Sequence, residues 1–324
     1  MPDPVLSIVV GTFDRRRQIE ECLESIRRET RRPHIVYVTD AGSTDGTVAY
    51  LESVRGDTVR PILVGEKRGQ ARAYNDVFRQ VQTPYVCWIS DDNVIVDGGL
   101  DRAVAVLERD PRIGMVALKV RDESGPFVDA PYIGGLSALG ILNVNQGVLP
   151  TKVLKQVGGF SEVVRDYGID PDLTAKVLFA GYDVVYSRRV AIRHHRNWSL
   201  DPGAPETQAL RARQERSLDL YQARYGGVLA PSRAFEAKRR VYRLLVKALG
   251  RRWRMNSAKA VLGQLPRDWH NIFNGRFISI LDPIACRGQD FHLRQRWPAH
   301  RPAPGIPPEP AAPDATAAKG PDHG

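Results

Sequence analysis

The first 120 residues alternate between two hydrophobic rhythms. Residues 6–10, Leu-Ser-Ile-Val-Val, form a short apolar run closed by Gly11, and residues 17–26 follow with Ile19, Cys22, Leu23 and Ile26 at helical spacing. Further apolar runs stand at 34–38, 59–64, 85–89 and 113–120, with helical patterns at 47–54, 69–81 and 98–108 between them. Short apolar runs that alternate with helical stripes predict βαβ units, hence an α/β fold with a mostly parallel sheet and right-handed crossovers. In such sheets ligands bind beyond the carboxyl ends of the strands. That rule directs attention to residues 11–14, 40–45 and 90–93.

A second block spans residues 152–190. Helices are expected at 152–157, ending at Gly158-Gly159, and at 172–180, ending at Gly181, with a strand at 183–186. Residues 130–151 carry no charge, but Pro131, Gly134, Gly135, Gly140, Asn143, Asn145, Gln146 and Gly147 make them too polar for a bilayer helix. Interior loops and short strands are expected there. From Thr207 the chain becomes helical and arginine-rich, and residues 299–324 are dominated by Pro, Ala and Gly, which predicts a disordered tail.

Composition changes this picture in one respect. The 324 residues are 42% hydrophobic and 26% charged, close to the globular average, and the net charge is +10. The charge is segregated: residues 1–230 hold 30 basic and 30 acidic side chains, whereas residues 231–300 hold 15 and 4. The excess therefore belongs to a C-terminal segment and not to the main body. Cys22, Cys87 and Cys286 are widely spaced and form no C-x-x-C pair, and residues 1–10 lack a secretory pattern. A reducing, cytoplasmic setting is expected, without a disulfide framework.

Three acidic constellations follow the strand ends. In residues 39–47, Thr-Asp-Ala-Gly-Ser-Thr-Asp-Gly-Thr, Asp40 could accept hydrogen bonds from a base or ribose, or form an Asx-turn before the helix at Thr47. In Ser90-Asp91-Asp92-Asn93, two adjacent carboxylates end an apolar strand. They call for compensation, which a hard divalent cation with substrate phosphates supplies. In residues 166–173, Asp166, Asp170 and Asp172 precede a helix. Pro171 pushes Asp170 toward an extended conformation, so that it projects from a loop as a candidate general base.

Six segments in this order resemble the family 2 glycosyltransferases, which have the GT-A fold, over roughly residues 7–195. Residues 7–15 are similar to the opening strand that ends in Thr-Tyr-Asn-Arg, and 40–47 to the Asp-Asp/Asn-Gly-Ser-x-Asp-x-Thr motif. Residues 69–75 resemble the next block, and 90–93 stand at the DxD position. Residues 158–162, Gly-Gly-Phe-Ser-Glu, are similar to Gly-Gly-Phe-Asp-Glu, and 169–173, Ile-Asp-Pro-Asp-Leu, to Glu-Asp-x-Asp-Leu. The resemblance implies that Asp40 meets the nucleotide base, with Thr12 and Arg72 nearby, and that Asp91 lies near the ribose or diphosphate. It further implies Mg²⁺ or Mn²⁺ at Asp92 and catalysis by Asp170. His194 or His195 would approach the metal or diphosphate, unless the pair is only part of a basic surface with Arg193 and Arg196.

The implied architecture is a GT-A domain over 1–205, with a nucleotide-binding half (1–120) and an acceptor half (121–205). A basic helical extension (206–298) and the tail follow. The implied reaction transfers sugar from a nucleoside-diphosphate sugar to a glycan or lipid-linked hydroxyl with inversion and no covalent enzyme intermediate. Ala41, Ser90 and Ile169 depart from the family pattern, which keeps an inactive nucleotide-sugar-binding protein as the alternative.

In the basic segment, residues 233–249 place Val241, Leu244, Leu245, Ala248 and Leu249 at helical spacing, with Lys238, Arg239, Arg240, Arg243 and Lys247 on the other face. Such a helix either packs on the catalytic domain or lies on an anionic surface, here the inner face of the plasma membrane. Trp253, Trp269, Phe273 and Phe277 among the positive charges could serve nucleic acid, but no nucleic-acid motif accompanies them, and nucleic acid is not the expected partner.

Overall fold

A computed structural model describes residues 2–124, 128, 131–137, 139–195, 201, 203–229, 232–255, 275–277 and 286–310. The predicted alternation appears as β1 (Leu6–Thr12), α1 (Arg16–Glu29), β2 (His34–Asp40), α2 (Thr47–Ser53), β3 (Val59–Leu63), α3 (Gln70–Phe78), β4 (Tyr85–Ser90), β5 (Asn93–Ile95), α4 (Gly99–Arg109) and β6 (Ile113–Asp122). Then come β7 (Gly147–Pro150), α5 (Thr151–Val157), a 3-10 turn (Glu162–Val164), α6 (Ile169–Phe179), β8 (Asp183–His194), α7 (Pro205–Tyr225), α8 (Arg233–Arg252) and β9 (Phe291–Gln295).

One sheet joins the nine described strands in the order β3-β2-β1-β4-β7-β6-β8-β5, with β9 also on β8. The strands β1, β2, β3, β4, β6 and β8 share a direction, and β5, β7 and β9 oppose it. Alternation along the strands feeds two cores. Val9, Val86 and Trp88 face α3, α5, α6 and α7, while Ile8, Val10, Cys87 and Ile89 face α1 and α4. The result is the GT-A type of α/β fold, a mixed and mostly parallel sheet between two helical layers. The uncharged stretch before Thr151 forms β7 and two isolated bridges, Val120 with Tyr132 and Leu136 with Leu142. Among the described residues no helix is long and apolar enough to cross a membrane.

Several elements differ from the sequence expectation. Asp170 does not project from a loop: α6 begins at Ile169, so Asp170 and Pro171 both lie in its first turn. A proline costs nothing there, because first-turn amides have no intrahelical partner. The strand expected at 183–186 continues to His194, past exposed Arg188 and Arg189, through register shifts against β6 that absorb the polar interruption. Within the segment read as helical, residues 291–295 pair antiparallel with β8.

The apolar stripe of α8 divides. Tyr242, Val246 and Gly250 turn inward, whereas Val241 and Leu244 stay 58% and 67% exposed. Residues 299–310 carry no helix or strand, and the Pro307 carbonyl accepts from Arg224 Nη2 at 2.9 Å. The remainder of the expected tail (311–324), Arg196, Trp269 and Phe273 lie outside the described residues.

Candidate active site

The carboxyl ends of β1, β2 and β4 lie side by side, with Thr12 in register with Asp40 and Gly11 with Ser90. Asp40 is buried and both its oxygens serve its own turn. The Gly42 and Ser43 amides donate to Oδ1 at 2.9 and 3.0 Å, and the Ser43 hydroxyl to Oδ2. This is the Asx-turn alternative realised. Gly42 sits at φ +93°, and a Cβ there would fall 2.7 Å from the Gly65 carbonyl oxygen, so the turn requires glycine. The neighbouring acids knit the loops together. Asp14 accepts from the Thr44 amide at 2.7 Å, and Asp45 from the amides of Arg16 and Thr47 at 2.8 and 3.1 Å.

Asp91 and Asp92 follow β4 and are both buried. Arg15, at the start of α1, places Nη1 2.9 Å from Asp91 Oδ1 and 3.0 Å from Asp92 Oδ2. The extended β8 delivers His194 to the same carboxylate, with Nε2 3.4 Å from Asp92 Oδ2 and Nδ1 3.0 Å from Asp122 Oδ1. Burial pushes Asp91 up to about 6 despite Arg15. Burial acts on Asp92 in the same sense, but His194 and Arg15 outweigh it and hold its pKa below the ordinary value. For His194, burial is likewise outweighed by Asp92 and Asp122, and its pKa is raised.

Asp170 lies in the first turn of α6. Desolvation lifts its carboxyl to about 8, against a smaller opposing effect of Trp88. Tyr74 is buried and feels the charge of both Asp91 and Asp170. Its hydroxyl donates to the Ile89 carbonyl at 2.9 Å and accepts from the Gly11 amide at 3.1 Å. A Cβ on Gly11 would lie 3.0 Å from the Tyr74 ring, so a small residue permits this contact. Tyr167, in the turn before α6, lies within electrostatic reach of Asp92 and Arg15. An open cleft lined by Arg121, Asp122, Glu123, Val128 and Arg193 lies alongside.

Asp172, two residues beyond Asp170, plays a different part. Its oxygens accept from Ser161 Oγ at 2.6 Å, Tyr225 Oη at 2.7 Å and Arg224 Nη1 at 2.8 Å, with Lys176 Nζ at 3.4 Å. It is a buried hub that fastens α7 to α6.

The structure thus gathers Thr12, Asp91, Asp92 and His194, with Asp40 adjacent. His195 is not gathered: its amide donates to the Asp92 carbonyl at 2.9 Å, while its ring turns toward Glu21. Arg72 is exposed on α3 and forms no ion pair or hydrogen bond among the described residues. Arg15, Tyr74, Asp122 and Tyr167 were not singled out from sequence. Arg15 and Tyr74 fall inside motif blocks and were within reach, whereas Asp122 needs the long strand pairing of β6 with β8.

The chain is similar to several known proteins over the region that carries these strands. The sequence pattern of glycosyl transferase family 2 matches residues 7–161. The chain is 25% identical over 253 residues to the uncharacterized protein y4gI of Sinorhizobium fredii, covering 68% of this chain and 28% of that protein, so it spans well under a third of y4gI. It is 27% identical over 239 residues to the N-acetylglucosaminyl-diphospho-decaprenol L-rhamnosyltransferase of Mycobacterium tuberculosis, covering 59% of this chain and 76% of the relative. Residues 1–349 of S. aureus TarS, also solved with UDP-GlcNAc, share the fold at TM-score 0.50 and 16% identity, over 83% of this chain and 90% of that one. The matched region, just under half of the chain, carries the whole β1–β4 end of the site, and over residues 7–161 the chain is similar to glycosyl transferase family 2.

Proposed function

We propose that the chain is an inverting glycosyltransferase that moves a sugar from a nucleoside-diphosphate sugar to a hydroxyl of a glycan or lipid-linked acceptor. The observation that carries this reading is Asp170, a carboxyl in the first turn of α6 lifted to about 8 by desolvation, whose charge, like that of Asp91, reaches the buried Tyr74. A base near the working pH can take the acceptor proton as the hydroxyl attacks the anomeric carbon. Asp40 and Thr12 shape the turn on which a nucleotide base would rest. The name of the M. tuberculosis relative gives a lipid-linked acceptor, which supports the same acceptor class here.

The residues fit a hard divalent cation. Asp91 and Asp92 already close around a positive group, the Arg15 guanidinium, and their oxygens suit Mg²⁺ or Mn²⁺. Among the described residues no three ligating side chains form a closed cage. That is compatible with Mg²⁺, which keeps waters and takes one or two carboxylates plus substrate phosphates. Asp92 would hold the ion, with Asp91 and His194 beside it. When bound, the ion supplies charge stabilisation to the departing diphosphate.

The donor site is tested by thermal unfolding with UDP, dTDP, GDP and CMP, with and without Mn²⁺. A ligand at about 100 times its Kd adds about 2.7 kcal/mol, which raises the melting point by several degrees. A Mn²⁺-dependent rise with one nucleotide is expected. No rise with any of the four would overturn the donor-site reading.

The exposed face of α8 supports a peripheral seat on the inner face of the plasma membrane. Val241, Leu244 and the 41%-exposed Trp253 point outward among Arg240, Arg243, Lys247, Arg251 and Arg252. Each basic residue near an anionic surface contributes about 1 kcal/mol. In vesicle flotation the chain is expected to rise with phosphatidylglycerol vesicles and to stay behind with phosphatidylcholine alone. The double substitution Val241→Asp, Leu244→Asp should abolish flotation, and equal flotation of variant and parent would refute the assignment.

A further inference from the structure

The acid pair is capped by a cation that belongs to the chain. Arg15 Nη1 bridges Asp91 Oδ1 and Asp92 Oδ2, and its side chain is 35% exposed, against 5% and 9% for the two acids. From the solvent side, Arg15 is therefore the outermost member of the cluster. His194 approaches the same Asp92 oxygen from another direction, and Asp92 Oδ1 receives the Asn93 side-chain amide at 3.2 Å. An ion arriving alone must displace the guanidinium or sit against it, where the two positive charges repel.

The backbone beneath Arg15 is held by contacts independent of the acid pair, whereas its side chain is held by the two carboxylates. Asp14, at φ +47°, is pinned by the Ser43 hydroxyl and the Thr44 amide, and the Arg16 amide donates to Asp45 at 2.8 Å. Between these anchors the long, partly exposed side chain can swing without moving β1 or α1.

We propose that Arg15 is a tethered counter-cation that holds the acid pair in the donor-free state and yields it to the divalent ion when a diphosphate arrives. This inference rests on the assignment of the metal to Asp92. Released from the carboxylates, the guanidinium remains on the rim, within a side chain's length of the incoming phosphates, for which its planar fork is suited. Arg15 is thus a positioning residue. It keeps the affinity for free metal low and makes metal and nucleotide enter together, a positive coupling between two ligands.

The test is Mn²⁺ binding to the full chain without nucleotide, followed by electron paramagnetic resonance, for the parent, Arg15→Gln, Arg15→Met and Arg15→Lys. Arg15→Gln and Arg15→Met are expected to bind Mn²⁺ at least tenfold more tightly than the parent. Arg15→Lys, which keeps the charge, should stay within about threefold of it. A merely structural Arg15 would weaken Mn²⁺ binding in all three variants. Adding Asp92→Asn to Arg15→Gln separates the two ideas. If Arg15→Gln and Arg15→Met bind no more tightly than the parent, yet Asp92→Asn removes Mn²⁺, the Arg15 inference fails and the metal assignment stands. If Asp92→Asn leaves the tight binding of Arg15→Gln intact, or if Mn²⁺ binds none of the proteins, the metal assignment fails and the inference with it.

Discussion

Asp170→Asn is expected to lower kcat by about 10²–10⁴-fold, the usual contribution of a positioned general base, and at the same time to stabilise the fold. The two effects share one cause. Desolvation holds the Asp170 carboxyl at about 8 in the folded chain, whereas an unfolded aspartate titrates near 3.9. Between these values the folded chain keeps a proton that the unfolded chain releases. Stability is therefore lost as pH rises from about 4 to about 8, and it levels off above the folded pKa. Asparagine has no such titration. The variant's gain should be absent at pH 4, grow across that window and reach about 2–4 kcal/mol at pH 8, after allowance for the opening of this residue to solvent. Urea unfolding at pH 4.5 and pH 8 reads the gain. The pH profile of kcat/KM reads the chemistry, with an ascending limb near pH 8 in the parent. Transfer by Asp170→Asn at near the parental rate would remove Asp170 from the mechanism.

Asp172→Asn, two residues away, should do the opposite. It removes the negative charge from a hub whose cationic partners, Arg224 and Lys176, are themselves buried. Breaking a buried pair by neutralising one member typically costs about 3–5 kcal/mol, because the remaining charge is left uncompensated. Here two cations lose their partner, and the Tyr225 and Ser161 hydroxyls lose a charged acceptor. The urea midpoint should fall accordingly, and the temperature at which activity is lost should fall with it. The rate per folded molecule at low temperature should remain close to the parental one. A loss of less than about 1 kcal/mol would show that the hub does not fasten α7. Opposite stability effects at Asp170 and Asp172 distinguish an acid kept for chemistry from one kept for architecture.

The contrast also marks what the sequence could disclose. Asp166, Asp170 and Asp172 look alike as letters, because burial and partners, not spacing, set their roles. Asp166 accepts from the Gln70 amide at 2.8 Å and ties the loop to α3. That contact spans 96 residues and leaves no local trace. The helical and strand periods of residues 1–120 were legible because each element there buries one face against a layer. β8 was legible only in its first third, because Ser187-Arg188-Arg189 ends the apolar run while the backbone pairing continues. His194 and His195 could not be separated by letters alone. Adjacent residues on a strand point to opposite faces, so only the placement of β8 decides which ring meets Asp92. β9 escaped because five residues with alternate polar positions, after a basic stretch, carry little signal of their own.

That late strand bears on how the molecule is made. β9 returns from residue 291 to lie on β8, buries Leu293 against Tyr186, and through Gln295 binds the Leu142 amide at 3.0 Å and the Gly140 carbonyl at 2.9 Å. A chain emerging from the ribosome can assemble β1 to β4 early, from neighbours in sequence. The other end of the sheet must wait until residue 295 has been synthesised. Until then β8 presents open backbone groups along the stretch that β9 will cover, and an open strand edge is where a nascent chain is exposed to wrong pairing. The order of synthesis thus separates the β1–β4 side of the sheet, which can close promptly, from the β6–β8 side, which is completed only once β9 has emerged.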